Sequence, residues 1–522
     1  MRVAIATDDP LVGWQLRCVD ALAEVDGLVL THWISSTRSV GRRSRGNDGP
    51  ALRPVAAPDV LRAIEAPLGL GSDGRDEPGD VVDVLVDLTA VGVPAGHRAA
   101  ETWRFRYGEE QLSDPVRAVL IDYVRTPGRS RVALVREPRG EPLWEGRLSW
   151  WRGEELDRIL LDPASWPANV ARDRIDQARN TPPPMDREPG VTVDPAGSSR
   201  RSAAAVSVPR SLLTVAALGR RAFQLGRMLT QHDDWHIGIV DAPITDAAHN
   251  RELAIRWLPG LPNRFAADPF GIERDGVVHI YFEDFDQRIG RGTISHIAIA
   301  ADGSIGEPEP VLDPGVHTSY PFVVEDRGDV FLLPETAAAS TLVLYEPTEF
   351  PLRWRPAATL LDGIPVLDAS VVQFEGRWWM FGTRLDRGAN HNLFLWHAPE
   401  LVGPWTGHLR NPVKTDSRSS RPAGTPFVVD GRLYRPSQDD SLGYGRQIVL
   451  NEIQVLTTSH FAETPVGVIG PPPNSPYPDG LHTLSRAGNR TLVDGNIRHF
   501  RQWTFRRSIS ARMPRPRGGP SA

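Results

Sequence analysis

Cysteine is nearly missing from this chain. Cys18 is the single one among 522 residues, which excludes an intramolecular disulfide and suits a reducing compartment. With Leu11, Trp14, Leu22 and Val25 at helical spacing around it, Cys18 reads as a small buried hydrophobe rather than a nucleophile. Long apolar runs are missing too: none approaches the roughly 18 residues of a membrane span. The opening Met1-Arg2-Val3-Ala4-Ile5-Ala6 is too short an apolar run for a signal peptide, so a cytoplasmic protein is expected. There is no excess of positive charge. The net charge of −6 argues against a general nucleic-acid binder, and the Arg-rich spots at residues 42–45 and 512–517 read as solvated loop and tail. No Gly-x-Gly-x-x-Gly follows the first strand, which disfavours dinucleotide binding, and no cofactor is expected.

What is present has the balance of a soluble globular protein, 40% hydrophobic and 24% charged, in a chain too long for one core. Residues 1–175 alternate short apolar strands (2–6, 28–34 and the nearly all-apolar 81–88) with helical patterns at 11–25 and 58–68, the pattern of a doubly wound, Rossmann-like α/β sheet. Segments 116–124 and 130–136 add strand character. Residues 176–210 read as a Pro/Ser-rich linker and 211–234 as a connecting helix capped by Ser211. From 235 to 505 the chain reads as all-β, and 506–522 as a disordered basic tail.

The all-β half repeats itself. Ala267-Asp268-Pro269-Phe270, His317-Thr318-Ser319-Tyr320-Pro321-Phe322, Leu367-Asp368-Ala369-Ser370, Ser420-Arg421-Pro422-Ala423-Gly424 and Gly480-Leu481-His482-Thr483 each set a polar residue beside Pro or a small residue, ahead of or within a hydrophobic strand. Tight turns follow at Asp326-Arg327-Gly328-Asp329 and Asp430-Gly431. A spacing of roughly fifty residues is that of propeller blades. Blades bring their first strands to a central axis, so Asp268, His317, Asp368, Arg421 and His482 are expected to converge on one funnel. Trp378-Trp379 alternate faces; one is expected in the core, with the other left for a surface or groove.

These motifs, with Pro334-Glu335-Thr336, Gly403-Pro404-Trp405 and Tyr444-Gly445, resemble the five-bladed propellers related to glycoside hydrolase family 43. The likeness is greatest to the branch also found as the N-terminal region of plant glucosamine inositolphosphorylceramide transferases. It spans roughly residues 235–505. That family uses three acidic residues: a general base, a carboxylate that tunes and positions, and a general acid. The resemblance implies Asp268 as base and Asp368 as tuning carboxylate. Where the family places its acid, this chain has Arg421, which holds its proton too tightly to donate it but suits two-point contact with a carboxylate or phosphate. An anionic ligand is therefore expected: a uronate, a sugar phosphate, or a phospholipid-linked or nucleotide-linked sugar. A replacement acid is sought in Glu335 or Asp439, with Glu283 and Asp284 nearby in the pattern. Arg435, Gln438, Asp439 and Tyr444 form a polar run suited to substrate contact, and Arg435 could share the anion. His482 matches an axial histidine near a cation or water; a lone histidine makes a poor metal site, so no metal is expected. Asp268 could instead cap a turn, and Arg421 could pair with a neighbouring carboxylate.

The N-terminal half more faintly resembles the Rossmann-like domain of formyltransferases, through Asp83-Val84-Leu85-Val86-Asp87-Leu88 and Trp103-Arg104-Phe105-Arg106-Tyr107. The family's catalytic Asn and His are replaced by other residues in Thr102-Trp103-Arg104-Phe105-Arg106-Tyr107, so a domain without formyl transfer is expected. The leading expectation is glycosyl transfer or a specialised glycoside hydrolysis in the funnel, in glycan biosynthesis. The alternatives are a plain glycosidase with a relocated acid, a non-catalytic glycan-binding protein, or formyl or acyl transfer by the N-terminal half.

Overall fold

A computed structural model describes residues 1–8, 13–36, 81–89, 98–108, 130–148, 162–180, 231–250, 252–441 and 443–500, with a few single positions between 111 and 122. The expected helices at 58–68 and 211–230, the linker from 181 and the tail lie outside the described residues.

The N-terminal residues form a six-stranded sheet of β1 (Arg2–Asp8), β2 (Val29–Ser36), β3 (Val81–Asp87), β4 (Arg98–Tyr107), β5 (Ser130–Glu137) and β6 (Glu141–Leu148), in the order β2-β1-β3-β4-β5-β6. The first four are parallel neighbours, while β4-β5-β6 run antiparallel. Helices α1 (Gly13–Ala23) and α2 (Trp166–Asn180) cover one face. There Trp14, Cys18 and Leu22 of α1 and Ala168 and Ala171 of α2 pack on Val3, Ile5, Val84, Val86, Trp103 and Phe105. Ala4, Ala6, Val82 and Leu85 are buried on the other face. This two-sided burial explains why β1 and β3 read as continuous apolar runs. Burial pushes the Cys18 thiol up, which leaves it inert.

The described part is thus a mixed sheet with both helices on one face, and the Rossmann-like, formyltransferase-like assignment is not carried by it. Ala118, Ile121 and Asp122, inside the expected strand 116–124, are helical. The segment 102–107 is strand β4, with Trp103, Phe105 and Tyr107 in the core and Arg104 and Arg106 paired with Asp87 and Glu137. The boundary expected at 175 falls inside α2, which continues to Asn180.

The C-terminal half is an all-β propeller of five sheets. Blades I to IV span residues 264–312, 319–362, 366–415 and 427–469, each led by its first strand. In all four, a two-residue turn joins the first two strands with φ positive at both positions: Asp275-Gly276, Arg327-Gly328, Glu375-Gly376 and Asp430-Gly431. These are the angles of a type I′ turn, whose twist matches the flanking strands. Blade V is a composite. Leu484–Ala487 and Arg490–Phe500 come from the end of the region, and Gln231–Val240 and Arg256–Trp257 from its start. Gln231–Val240 pairs with Arg490–Phe500 in unbroken register from Phe500↔Gln231 to Thr491↔Val240. The propeller therefore begins at 231 rather than 235, and residues 231–234, expected as helix, are strand. Trp378 and Trp379 both lie in cores, on opposite faces of blade III.

The sheet and the propeller touch. The Ser417 N–H donates to the Arg147 carbonyl (2.9 Å), Asp416 bridges to Arg147, and Arg410 pairs with Asp173 of α2.

Candidate functional site

In blades I, II and III the first strand carries one residue with φ in the left-handed region: Asp268 (+50°), Tyr320 (+45°) and Asp368 (+51°). At each, pairing with the second strand slips by a residue. A bulge of this kind re-aims a side chain, and left-handed backbone is costly for a tyrosine. Repetition at equivalent places in three blades marks it as a property of the fold. The side chains so turned meet near the axis.

On the blade I–V side, the Asp268 backbone N–H donates to Asp494 Oδ2 (3.1 Å), and Thr483 Oγ1–H donates to Asp268 Oδ1 (2.9 Å). Asp494 Oδ1 accepts the N–H groups of His482 (2.9 Å) and Thr483 (3.0 Å). Asp494 Oδ2 lies 2.6 Å from His482 Nδ1, and Asp268 Oδ1 lies 3.6 Å from His482 Nε2. The imidazole stacks on Trp235, centroids 3.8 Å apart, and meets the Tyr444 ring edge-on at 5.4 Å. Burial alone would lower the His482 pKa, but Asp494 and Asp268 raise it to about 9. The same imidazolium holds Asp494 below the usual carboxylate range against its burial. Asp268 goes the other way: burial, with Asp494 and Asp368 adding to it and His482 opposing, pushes it up to about 6.

Across the axis, Asp368 Oδ2 accepts Arg421 Nε–H (2.6 Å) and Gln438 Nε2–H (2.7 Å), and Oδ1 accepts Arg421 Nη2–H (3.3 Å). Arg421 Nη1–H donates to Asn390 Oδ1 (3.1 Å), and the guanidinium lies 5.1 Å over the Tyr444 ring. The Asp368 backbone N–H donates to Glu335 Oε2 (3.2 Å). Glu335 and Glu283 are both buried and both raised well above the usual range. Burial is the largest cause; Asp368 comes next for Glu335, and Asp268 and Glu335 for Glu283. Asp440 is raised to about 6 by burial, with Arg421 opposing.

The axis thus gathers Asp268, Asp368, Arg421 and His482, four of the five residues the repeat implied, and with them Glu335, Gln438 and Tyr444. Other expected residues stand elsewhere. His317 sits at the rim, 42% exposed, 3.6 Å from Glu283; the second blade's inward position belongs to Tyr320, whose hydroxyl bonds Ser370 (2.8 Å) and accepts the Gly424 N–H (2.5 Å). Arg435 is a structural residue, fully buried, with its guanidinium bonded to Glu463 (2.5 and 2.9 Å) and to the Ser419 and Ser420 carbonyls, so it is not placed to hold an anion. Asp439 binds Ser441 and Gln447 and is committed as a turn carboxylate rather than an acid. Asp284 turns away to Arg264 and Ser295. Sequence reasoning missed Asp494, whose Asp494-Gly495-Asn496 setting looks like a turn yet is mid-strand, and Asp440. Nor is His482 a lone ligand: with Asp268 and Asp494 it offers three ligand atoms within 4.8 Å of one another, which could hold a cation.

The fold and the axial cluster define a five-bladed propeller with buried carboxyl groups, an imidazole and a guanidinium at its centre. Residues 242–471, blades I to IV with their approach, match the family model described as glucosamine inositolphosphorylceramide transferase 1, N-terminal. Relatives bearing the name glucosamine inositolphosphorylceramide transferase 1 include one from Oryza sativa subsp. japonica, 34% identical over 215 residues, covering 40% of this chain and 29% of the relative. Another, from Arabidopsis thaliana, is 32% identical over 213 residues, covering 40% and 28%. The matched segment thus spans less than a third of those relatives. Similar solved structures include an exo-β-1,3-galactanase from Clostridium thermocellum (TM-score 0.34, 13% identity, 40% of this chain and 53% of that one). A family 117 glycoside hydrolase from Zobellia galactanivorans is also similar (TM-score 0.34, 11% identity, 46% and 88%).

Proposed function

We propose that the propeller acts on a glycan or an activated sugar at its axis, by acid–base chemistry at a glycosidic or glycosyl-phosphate bond. The observation that carries this reading is the meeting of four buried carboxyl groups, Asp268, Glu283, Glu335 and Asp368, at one axis in unlike settings: Asp268, facing His482, is pushed up to about 6, while burial and neighbouring carboxylates raise Glu283 and Glu335 well above the usual range. Pairs pushed apart in this way divide into an acid and a base. Asp268, ionised at neutral pH, would take the proton of an attacking water or acceptor hydroxyl. Glu335, with Glu283 as its neighbour, would give a proton to the leaving oxygen as the bond from the anomeric carbon breaks. Arg421 neutralises Asp368 across the axis, and an anionic ligand group would have to compete with that carboxylate for it. The similarity to transferases that build a glycosylated lipid favours transfer in glycan biosynthesis over digestion, and it is to their N-terminal part.

The test is turnover of a panel of aryl glycosides and nucleotide sugars by wild type, Asp268→Asn and Glu335→Gln. Loss of at least about a hundredfold in kcat in each variant supports the roles; turnover unchanged in both ends them. A second reading, non-catalytic glycan binding, is favoured by the closed Arg421–Asp368–Gln438 network where an acid would stand. It predicts saturable binding on a glycan array with no product from any donor.

A further inference from the structure

We propose that Asp234, His236 and His499, with His232 alongside, form a site for a first-row divalent cation of the zinc type, on the face of the closing strand that points away from the funnel. The site clips together the two strands that close the ring. It is independent of the sugar chemistry proposed above.

His232, Asp234 and His236 occupy alternate positions of Gln231–Val240, so all three point to one face, while Trp235 between them points to the other and stacks on His482. His499 stands on the neighbouring strand directly opposite His232 and shares that face. Two alternate positions on one strand plus one from its partner is a natural way for a sheet to present three ligands. Asp234 Oδ2 lies 3.4 Å from Nε2 of His236 and 3.4 Å from Nε2 of His499. A charge-assisted hydrogen bond between such groups is shorter, about 2.7–2.9 Å. Ligand atoms around a tetrahedral zinc, at metal–ligand distances near 2.1 Å, stand about 3.4 Å apart. Closing the remaining edge requires the two imidazoles to approach, and His499, with its side chain 46% exposed, is free to swing in. His236 is braced by stacking on Tyr477 at 4.2 Å, so one ligand is fixed and one adjustable. The His232 ring lies 5.6 Å from that of His499, and its Nδ1 is buried without a hydrogen-bond partner.

The donor set of imidazoles and one carboxylate suits zinc and its neighbours rather than calcium or magnesium. Because one ligand comes from the entering strand of the propeller and another from its last, a bound ion would favour the closed ring by mass action.

The experiment uses tag-free, chelator-stripped full-length protein at neutral pH. Zn²⁺ is titrated by calorimetry, Co²⁺ is followed by its visible absorption, and thermal melts are recorded with and without Zn²⁺. One equivalent of Zn²⁺, a tetrahedral Co²⁺ spectrum and a raised Tm are expected. Asp234→Asn, His236→Ala and His499→Ala should each weaken Zn²⁺ affinity at least about tenfold, while Asp268→Asn leaves it intact. His499 is exposed enough that its removal spares the fold, which circular dichroism checks. Absence of stoichiometric binding overturns the proposal, as does binding that survives Asp234→Asn and His499→Ala. So does binding lost with Asp268→Asn, which would put the ion at the axis.

Discussion

His482 is a buried cation whose charge exists because two carboxylates ask for it. Its pKa rises from 6.5 in the unfolded chain to about 9 in the fold, so the fold binds this proton more tightly than the unfolded chain does. The resulting stability is fully present below about 6.5 and is lost as pH rises through about 9, on the order of 3 kcal/mol in all. Thermal melts should therefore show Tm falling from about pH 6.5 to about pH 9 in wild type. His482→Gln should melt lower at pH 7 and lose most of that slope; an equal slope in both proteins refutes the assignment. Asp268 and Asp368 could be singled out in the sequence because a carboxylate inside an apolar strand is expensive unless it has work to do. Arg421, which meets Asp368 across 53 residues, could be placed near it through the repeat; Asp494, which meets Asp268 across 226, could not, because nothing local in Val493-Asp494-Gly495 announces a buried hub. Arg435 and Asp439 do not reach the axis for the converse reason: a polar run in sequence need not face one place, and successive residues of a strand point to opposite faces.

Strands and turns of the propeller were legible because their signals are local. Asp-Gly and Arg-Gly pairs between alternating hydrophobic runs dictate type I′ hairpins, and the structure has them with both φ values positive. The bulges at Asp268, Tyr320 and Asp368 were not legible, since they follow from how the first strands crowd at the axis. Tyr320 was therefore not singled out, and His317 stood for blade II among the residues expected at the axis. Gly424 shows how tight that crowding is. It has φ +124°, its N–H reaches the Tyr320 hydroxyl, and it bridges to Leu484 of blade V. A Cβ built there would stand 1.9 Å from the Leu484 carbonyl oxygen. Backbone offers no rotamer by which to escape. Gly424→Ala should therefore destabilise the protein by at least about 3 kcal/mol, measured by denaturant unfolding. Gly276→Ala is the control. That residue has φ +77° but only Ala301 Cβ near its own notional Cβ, at 3.9 Å, so it should cost only the turn strain, about 1 kcal/mol. Equal costs would mean that contact between blades IV and V is not what the glycine serves. In the N-terminal half the apolar runs of β1 and β3 were readable, but the antiparallel turn of the sheet after β4 was not, because Arg98–Tyr107 pairs with β3 on one side and β5 on the other and its own sequence does not say which way the next strand runs.

Ring closure is the property of the whole molecule that no single blade shows. The fifth repeat looked weak in the sequence because half of blade V lies some 250 to 270 residues upstream of the other half, as the pairing of His232 with His499 makes plain. The closing strands also fill two interblade cores. Ile237, Ile239 and Leu492 pack with Val278, Ile280 and Phe282 of blade I, and Leu484 and Val493 with Phe427, Ile448 and Leu450 of blade IV. The segment that matches the transferase family, residues 242–471, lacks three of this blade's four strands and keeps only Arg256–Trp257. As an isolated fragment it would expose two apolar faces and leave open strand edges ready to pair with other chains. It should behave as an expanded, dye-binding, aggregation-prone species without a cooperative melt. Residues 231–500 restore the closure and should melt cooperatively. They should do so at a lower temperature than the full chain, because Arg410 loses Asp173 and the Ser417 N–H loses the Arg147 carbonyl. Melting of the three proteins side by side, with dye binding as the second readout, checks the ranking. A cooperative, dye-silent melt of 242–471 would show that four blades hold together without the fifth, and that the axis is assembled before the ring is closed.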